Sequence, residues 1–231
     1  MEDRKEFATK TWYMNAHAAS VFMGAEHLGR RRQVDKGVTL YRQGDSGQSF
    51  YYVVSGRVQV EIFQQDGAEF ILELMGAGAL FGEGAALGGQ RHISTATTLE
   101  PCVLIEFHYP ELKKSFAQHV ELATTLMEVV AVKQWVLGMR IQFLATPRPD
   151  LRIVELLTRL ADLYGVQDRG GILIRTPLTH EQVAALTGTS RVTVTRTITK
   201  LKSEGVILNE GRHFWMREPG QGCVRELRRA A

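Results

Sequence analysis

The amino-acid sequence predicts an α+β chain in which a β-rich part, a long helix and a compact carboxyl-terminal domain follow one another. Three observations lead to this prediction. Residues 38–107 contain short β-rich runs separated by glycines, residues 120–144 are nearly free of glycine and proline, and residues 178–216 have the pattern of two short helices followed by a hairpin. The predicted parts span residues 1–119, 120–147 and 148–231.

Composition places the chain among folded globular proteins. With 231 residues, of which 44% are hydrophobic and 23% charged, it is long enough for two modest domains. The net charge of +3 is uneven, because residues 150–231 carry 13 Lys and Arg against 9 Asp and Glu, whereas the rest of the chain is close to neutral. The sequence before residue 7 lacks the features of a signal peptide, and no apolar run reaches the ~18 residues that span a bilayer. We therefore expect a cytoplasmic protein without a membrane partner.

The β-rich part predicts an antiparallel roll or jelly roll. Glycine-containing pairs such as Gly44-Asp45, Ser55-Gly56 and Asp66-Gly67 mark its turns. The predicted strands are Val38–Tyr41, Ser49–Val54, Arg57–Phe63, Glu69–Leu74 and Pro101–Phe107.

Metal and redox cofactors are not expected. None of the seven histidines forms an H-x-H pair with a suitably spaced carboxylate, which disfavours a metal-dependent barrel enzyme. Cys102 and Cys223 are too few for an iron–sulfur cluster or a disulfide framework. Cys102 fits a buried strand residue, and Cys223 is either a spectator or a reactive thiol.

The region from Val120 to Leu144 predicts one helix of ~25 residues, about 37 Å long. Apolar residues repeat in it at spacings of three and four, which is typical of a coiled-coil seam and favours a homodimer. The alternative is a core helix that packs within one chain. The seam residues are Val129, Val132, Val136, Met139 and Phe143.

Lys133 is the only cation between Glu121 and Met139, and a lysine in so apolar a stretch needs a partner. It could extend to water, pair with a glutamate such as Glu128 on a neighbouring helix, or hold an anionic ligand between the roll and the helix. After this helix, the prolines of residues 146–150 predict a stiff hinge, which places the domain boundary near residue 148.

Residues 178–201 predict a helix-turn-helix. Thr179 and Gln182 form a capping-box start, Gly188 ends the first helix, and the second helix begins at Ser190. A period of 3.6 residues places four residues on the packed side of the second helix and the basic residues on the opposite side. The packed residues are Val194, Thr197, Ile198 and Leu201. Two predicted strands, Val206–Leu208 and His213–Met216, complete a winged helix.

The second helix has the charge expected of a nucleic-acid-binding surface. No Asp or Glu occurs from Gln182 to Ser203, and arginines near the start of a helix in the major groove can read guanine. A valine at position 192 can contact only apolar groups such as the thymine methyl, which favours a DNA site rich in A·T base pairs. The alternative is a solvated basic face. The candidate DNA-binding residues are Thr179, Ser190, Arg191, Val192, Thr195, Arg196 and Lys202.

The order of the Thr179–Ala184 motif, the Gly188–Arg196 motif and the hairpin resembles the CRP/FNR transcription regulators. The roll resembles a cyclic-nucleotide-binding domain through Leu40–Asp45, Tyr51–Val58 and Leu80–Leu87. This resemblance implies a homodimeric regulator rather than an enzyme. It would respond to a small-molecule effector, bind a palindromic operator in double-stranded DNA and contact RNA polymerase.

In this family a Gly-Glu pair lies in the ligand pocket, and Gly82-Glu83 matches it. The family's Pro-Arg-Ser-Ala segment is replaced here by Gln90–Thr95, and the small hydroxyl residues that contact adenine are replaced by Lys133–Val136. These departures argue against cyclic AMP. The resemblance implies effector-binding roles for Gly82, Glu83, Arg91, His92, Val129 and Lys133.

The CprK-like branch, which senses halogenated phenols, is a closer likeness. Lys133, the segment Pro149–Val154 and the segment Ser190–Arg196 carry it. It implies a small anionic aromatic effector. The alternatives are a CRP/FNR regulator of a cyclic nucleotide or another ligand, and a nucleotide-binding regulatory module without a DNA role.

Overall fold

A computed structural model describes residues 14–64, 69–145, 147–168 and 170–217, and the structural statements below concern these residues. The predicted turn at Asp66-Gly67 and the thiol of Cys223 lie outside them. The chain divides into two compact units on either side of Gly138.

The first unit consists of two four-stranded antiparallel sheets and several helices, which confirms the predicted α+β class and the β-roll. One sheet has the order β1-β8-β3-β6, with β1 at Arg30–Val34, β3 at Ser49–Ser55, β6 at Leu80–Phe81 and β8 at Cys102–His108. The other has the order β2-β7-β4-β5, with β2 at Thr39–Tyr41, β4 at Val58–Phe63, β5 at Glu69–Met75 and β7 at Thr95–Thr98. The helices are α1 at Ala16–Gly24, α2 at Glu83–Gly88, α3 at Tyr109–Ser115 and α4 at Val120–Ala145. The residues of α4 from Met139 onward, which include Arg140, belong to the second unit.

All five predicted runs are strands, whereas β1, β6 and β7 are additional. The strand β1 was not predicted because its sequence, Arg-Arg-Arg-Gln-Val, has no apolar alternation. It is an edge strand that pairs only with β8, so most of its side chains remain in solvent.

Strands β3 and β8 are buried on both faces, which explains why their sequences are nearly continuous apolar runs. One face contributes Tyr51, Val53 and Leu104 to the core between the two sheets. The opposite face contributes Phe50, Tyr52, Ile105 and Phe107 to a second core, where α1 and α4 add Phe22, Leu122 and Leu126.

The long helix α4 is present, but part of the predicted seam is wrong. Val129 and Val136 are buried within their own chain, so they present no surface to a partner. The side of α4 that remains exposed carries Val132, Trp135 and Met139 instead. By length and composition alone, α4 is also apolar enough to span a membrane, with a mean hydropathy of 1.2 over 18 residues, although charged residues interrupt it. Part of its apolar surface packs on the roll.

The second unit is a winged helix. Its helices are α5 at Pro149–Tyr164, α6 at His180–Thr187 and α7 at Arg191–Ser203. The predicted hairpin consists of β11 at Ile207–Glu210 and β12 at His213–Arg217, and two unpredicted strands extend it, β9 at Gly165–Asp168 and β10 at Gly171–Ile174. The sheet order is β11-β12-β10-β9, and the Trp215 indole N–H donates to Asp168 Oδ2 across it at 2.8 Å.

We predict that Gly56→Ala will lower the free energy of unfolding of the roll by at least about 2 kcal/mol. Gly56 has a φ of +89°, and an added Cβ would lie 2.6 Å from both Cys102 Sγ and the Pro101 carbonyl oxygen. Urea unfolding followed by tryptophan fluorescence and circular dichroism measures the change. Gly24→Ala is the control, because no atom lies within 4 Å of that Cβ and a helical alanine is favoured by about 0.5–1 kcal/mol. Equal stabilities for the two variants would contradict the prediction.

Candidate functional site

The helix-turn-helix begins with the capping box that the sequence predicts. Gln182 N–H donates to Thr179 Oγ1 at 3.1 Å, and Thr179 N–H donates to Gln182 Oε1 at 3.0 Å. Gly188 ends α6 in the left-handed region, with a φ of +58°. Ser190 then caps α7 by accepting from Thr193 N–H at 3.2 Å. These local contacts fix the positions of the two helix starts.

The structure orients α7 as predicted. Val194, Thr197, Ile198 and Leu201 are all buried against the rest of the unit. The opposite side is exposed and carries Arg191, Val192, Thr195, Arg196 and Lys202. Val192 lies among them and is 68% exposed. The α7 face therefore offers both cations and an apolar side chain to a partner.

Three contacts of this face were not predicted. Glu181 Oε1 lies 3.7 Å from Arg191 Nη1, with both side chains more than two-thirds exposed. His180 Nδ1 lies 3.0 Å from Thr195 Oγ1, so a histidine on α6 contacts a candidate DNA-binding residue. Lys202 Nζ donates to the Asn209 carbonyl oxygen of the wing at 3.4 Å. Each contact joins residues from different elements, which helical periodicity does not reveal.

In the roll unit, the predicted effector residues Glu83 and Lys133 meet directly. Lys133 Nζ donates to Glu83 Oε1 at 2.7 Å and to the Leu80 carbonyl oxygen at 2.5 Å. Glu83 and Lys133 are only 8% and 4% exposed. The lysine partner is thus Glu83 of the same chain, rather than Glu128 or water. Burial lowers the pKa of Lys133 below the usual lysine value, and the Glu83 carboxylate opposes this effect.

Gly82 permits this arrangement. It precedes α2 with a φ of +86°, and a Cβ there would lie 3.3 Å from a ring carbon of Tyr41. Glycine therefore allows the chain to turn beside the Tyr41 ring and direct Glu83 inward. Val129, one helical turn before Lys133, is buried in the adjoining core.

An aromatic cluster lies next to this ion pair. The His92 and Tyr41 rings stack at a centroid distance of 3.7 Å, and Tyr41 also contacts Phe81 at 6.2 Å. Burial lowers the pKa of His92, while Asp45 and Glu83 oppose the shift. Burial also raises the pKa of the Tyr41 hydroxyl well above its usual value. Burial therefore favours the uncharged form of both rings.

Two further features distinguish the predicted effector residues. Arg91 is exposed and its Nη1 donates to the Gly44 carbonyl oxygen at 2.7 Å, unlike the buried Glu83, His92, Val129 and Lys133. The second carboxylate oxygen of Glu83, Oε2, is buried and accepts no hydrogen bond from the described residues. A buried acceptor of this kind is costly unless a donor reaches it. The Glu83 carboxylate is therefore suited to receive a ligand donor.

The described residues contain no group of three or more His, Cys, Asp or Glu side chains arranged to hold a metal ion. Cys102 is buried, and its Sγ lies 3.2 Å from the Glu100 carbonyl oxygen and 3.4 Å from that of Arg57. Burial raises the pKa of its thiol, which disfavours the reactive thiolate.

Comparison with known proteins identifies both units. Residues 31–119 match the cyclic nucleotide-binding domain, and residues 151–220 match the Crp-like helix-turn-helix domain. The transcriptional regulator SdrP of Thermus thermophilus is 34% identical over 162 residues, which cover 68% of this chain and 73% of that protein. The CRP-like cAMP-activated global transcriptional regulator of Mycobacterium tuberculosis is 28% identical over 177 residues, covering 77% and 79%.

A solved structure of CprK complexed with OCPA has the same fold, with a TM-score of 0.68 and 22% identity over 91% of this chain and 93% of that one. The relatives in sequence are regulators of transcription rather than enzymes. In this chain the match to the cyclic nucleotide-binding domain precedes the match to the Crp-like helix-turn-helix domain. The chain therefore belongs to the CRP/FNR family of ligand-responsive transcription regulators.

Proposed function

We propose that the protein is a cytoplasmic homodimer that binds a palindromic operator with two copies of α7. The observation that carries the proposal is the exposed α7 face, on which cations surround Val192. Each α7 would lie in the major groove of one half-site, with half-sites about one helical turn, or ~34 Å, apart. RNA polymerase would be the further protein partner, as is typical of the family.

The DNA-binding residues divide by role. Arg191 and Arg196 would contact base edges, and Val192 would contact a thymine methyl group. Thr179 and Ser190 lie at helix starts, where backbone N–H groups favour phosphate, and Lys202 would contact the phosphate backbone. Glu181, which lies near Arg191, would have to give up this contact when the arginine binds DNA.

The dimer would form along the exposed side of α4. Val132, Trp135 and Met139 follow the spacing of three and four residues, and each is at least 40% exposed. Met127 and Ile141 are also exposed, at 71% and 69%, but at about 100° per residue they lie on another side of the helix. The line formed by Val132, Trp135 and Met139 fits the same line on a second copy of this helix. This proposal retains a coiled-coil seam but moves it off Val129 and Val136.

The effector site would lie where α2 meets α4, and its ligand would be a small anionic aromatic compound such as a halogenated phenol. On this basis we propose that the protein is most similar in function to the CprK-type branch. Lys133 supplies a buried ammonium, and the Tyr41, Phe81 and His92 rings form the adjacent cluster. Because Glu83 already neutralises Lys133, an anionic ligand must displace the Glu83 carboxylate. Binding would then move α2 relative to α4, and this movement is the physical basis of the response.

A second class of effector is favoured by one observation, the buried Oε2 of Glu83. A ligand with a hydroxyl or amide donor, such as the ribose of a cyclic nucleotide, could donate to Oε2 without breaking the ion pair. The two classes of effector therefore differ in how they depend on the Glu83 carboxylate. An anionic effector competes with this carboxylate for Lys133, whereas an effector that donates a hydrogen bond needs the carboxylate as its acceptor.

For the DNA interface, we predict that Arg196→Ala will cost about 1–3 kcal/mol at the operator and relax the base preference at one position per half-site. Lys202→Ala is the matched control, since loss of a phosphate contact weakens all sequences alike and lowers the salt dependence of binding. Selection from a randomised duplex pool, followed by titrations at several salt concentrations, measures both effects. An unchanged base preference in Arg196→Ala would show that the assigned contact is wrong.

For the dimer, we predict that Trp135→Glu combined with Met139→Glu will weaken self-association at least about 100-fold, or 2.7 kcal/mol. The new carboxylates would meet like charges in the apolar seam. Light scattering over micromolar concentrations measures the mass. The control Gln134→Glu adds charge at an exposed position outside the Val132–Trp135–Met139 spacing and should remain dimeric. A double variant that stays dimeric would place the interface elsewhere.

For the effector site, we predict that Glu83→Gln will strengthen binding of a halogenated phenolate about tenfold, because the competing carboxylate is removed. Adding Lys133→Leu in the Glu83→Gln background should then abolish the preference for halogenated phenols over phenol. Glu83→Gln leaves Lys133 buried without its anion, which costs about 3–5 kcal/mol, and a bound phenolate would recover part of this cost. Lys133→Leu in the same background removes the unpaired charge.

Calorimetry across pH 6–9 tests these variants. Affinity should rise as the phenol ionises, since the ammonium selects the anion. A different result would favour an effector that donates a hydrogen bond to Glu83. In that case cyclic AMP binds, Glu83→Gln weakens this binding, and no phenol binds. Phenol affinity that is independent of both substitutions would exclude Lys133 as its binding residue.

A further inference from the structure

The turn between α6 and α7 is held by two arginines from two different helices. Arg152 of α5 donates from Nε to the Thr187 carbonyl oxygen at 2.9 Å and from Nη2 to the Gly188 carbonyl oxygen at 3.2 Å. Arg140, near the end of α4, donates from Nη2 to the Leu186 carbonyl oxygen at 2.8 Å. Three successive carbonyls thus receive guanidinium donors from outside the helix-turn-helix.

These carbonyls are the ones that a helix leaves without internal partners. The last turn of a helix has free C=O groups and the negative end of the helix dipole, so cations are stabilised there. Gly188 ends α6 in the left-handed region, and Thr189 N–H donates back to the Ala184 carbonyl oxygen at 3.1 Å. Ser190 immediately follows and caps α7. The geometry of this turn therefore sets the start of the recognition helix α7.

The two arginines differ in what they connect. Arg152 is buried in α5, whose apolar residues form the core of the same unit, so its contact belongs to that core. Arg140 belongs to α4 and is half-buried, with its guanidinium carbon 5.5 Å from the Phe143 ring centroid. On α4 it follows Lys133 by seven residues, or two helical turns. Arg140 thus connects the long helix to the recognition turn.

We propose that Arg140 is a positioning residue for sequence-specific DNA binding, which rests on the proposed operator function. Its hydrogen bond to Leu186 holds the α6–α7 turn, and the turn holds Arg191 and Arg196 in register with base edges. Non-specific binding depends on phosphate contacts and charge, which tolerate small changes of orientation. Loss of the Arg140 contact therefore reduces selectivity more than it reduces overall DNA affinity.

The test compares the full-length wild type with Arg140→Ala and Arg140→Lys. A duplex selected by the wild type from a randomised pool serves as the specific probe, and a scrambled duplex of equal length and composition serves as the non-specific probe. Arg140→Ala should lose about tenfold or more of the specific-to-scrambled affinity ratio, as expected for a hydrogen bond to a charged group. Binding to the scrambled duplex should change less than about twofold. Arg140→Lys keeps the charge and a donor, so it should restore part of the ratio.

Hydrogen exchange supplies a readout that needs no DNA. The amide of Thr189 should exchange about tenfold faster in Arg140→Ala than in the wild type. Thermal unfolding of each variant shows whether its overall stability has fallen. If Arg140→Ala does not fold, the exchange rate of the Thr189 amide is measured in Arg140→Lys instead. An unchanged affinity ratio, an equal loss on both duplexes or an unchanged Thr189 exchange rate would overturn the proposal. If the wild type selects no sequence from the pool, the operator function fails instead, and the exchange experiment still decides whether Arg140 holds the α6–α7 turn.

Discussion

The amino-terminal unit depends on the ion pair between Glu83 and Lys133, because neither charge could be buried alone without a cost of several kcal/mol. The pair joins α2, which follows the short strand β6, to a position on α4 that is 50 residues further along the chain. By fixing Lys133 inward, it determines which side of α4 packs on the roll. Val129 and Val136 then lie inside, and Val132, Trp135 and Met139 remain on the surface. One contact therefore joins the residues proposed for effector binding and influences which surface of α4 is left for the proposed dimer.

The helix-turn-helix is the part of the fold that the sequence predicts best, because its determinants are local. The Thr179 capping box, the Gly188 helix end and the Ser190 cap each depend on residues within four positions along the chain. The buried side of α7 follows from helical periodicity alone. The five predicted strands of the roll were recognisable for a similar reason, since short apolar runs between glycine turns have few other interpretations.

What the sequence does not predict involves contacts between distant residues. Lys133 clearly needs a partner, yet nothing in its neighbourhood identifies Glu83, and Arg140 has no pattern that relates it to the Leu186 carbonyl. The seam on α4 fails at Val129 and Val136 because a repeat of apolar residues is compatible with either a partner helix or the chain's own core. The sequence does not predict the strand β1, because an edge strand needs few apolar residues and β1 lacks the alternation that identifies a strand.

The two-sided burial of β3 has an evolutionary consequence. Neighbouring residues on this strand belong to different compartments, since Tyr51 faces the interior of the roll while Tyr52 faces the helices. Substitutions at odd and even positions are thus separated by the sheet itself. Mutations at Tyr51 therefore change the packing of the roll interior, and mutations at Tyr52 change the core beneath α4, although the two residues are adjacent in sequence. A single strand thus exposes the two cores to separate sets of mutations.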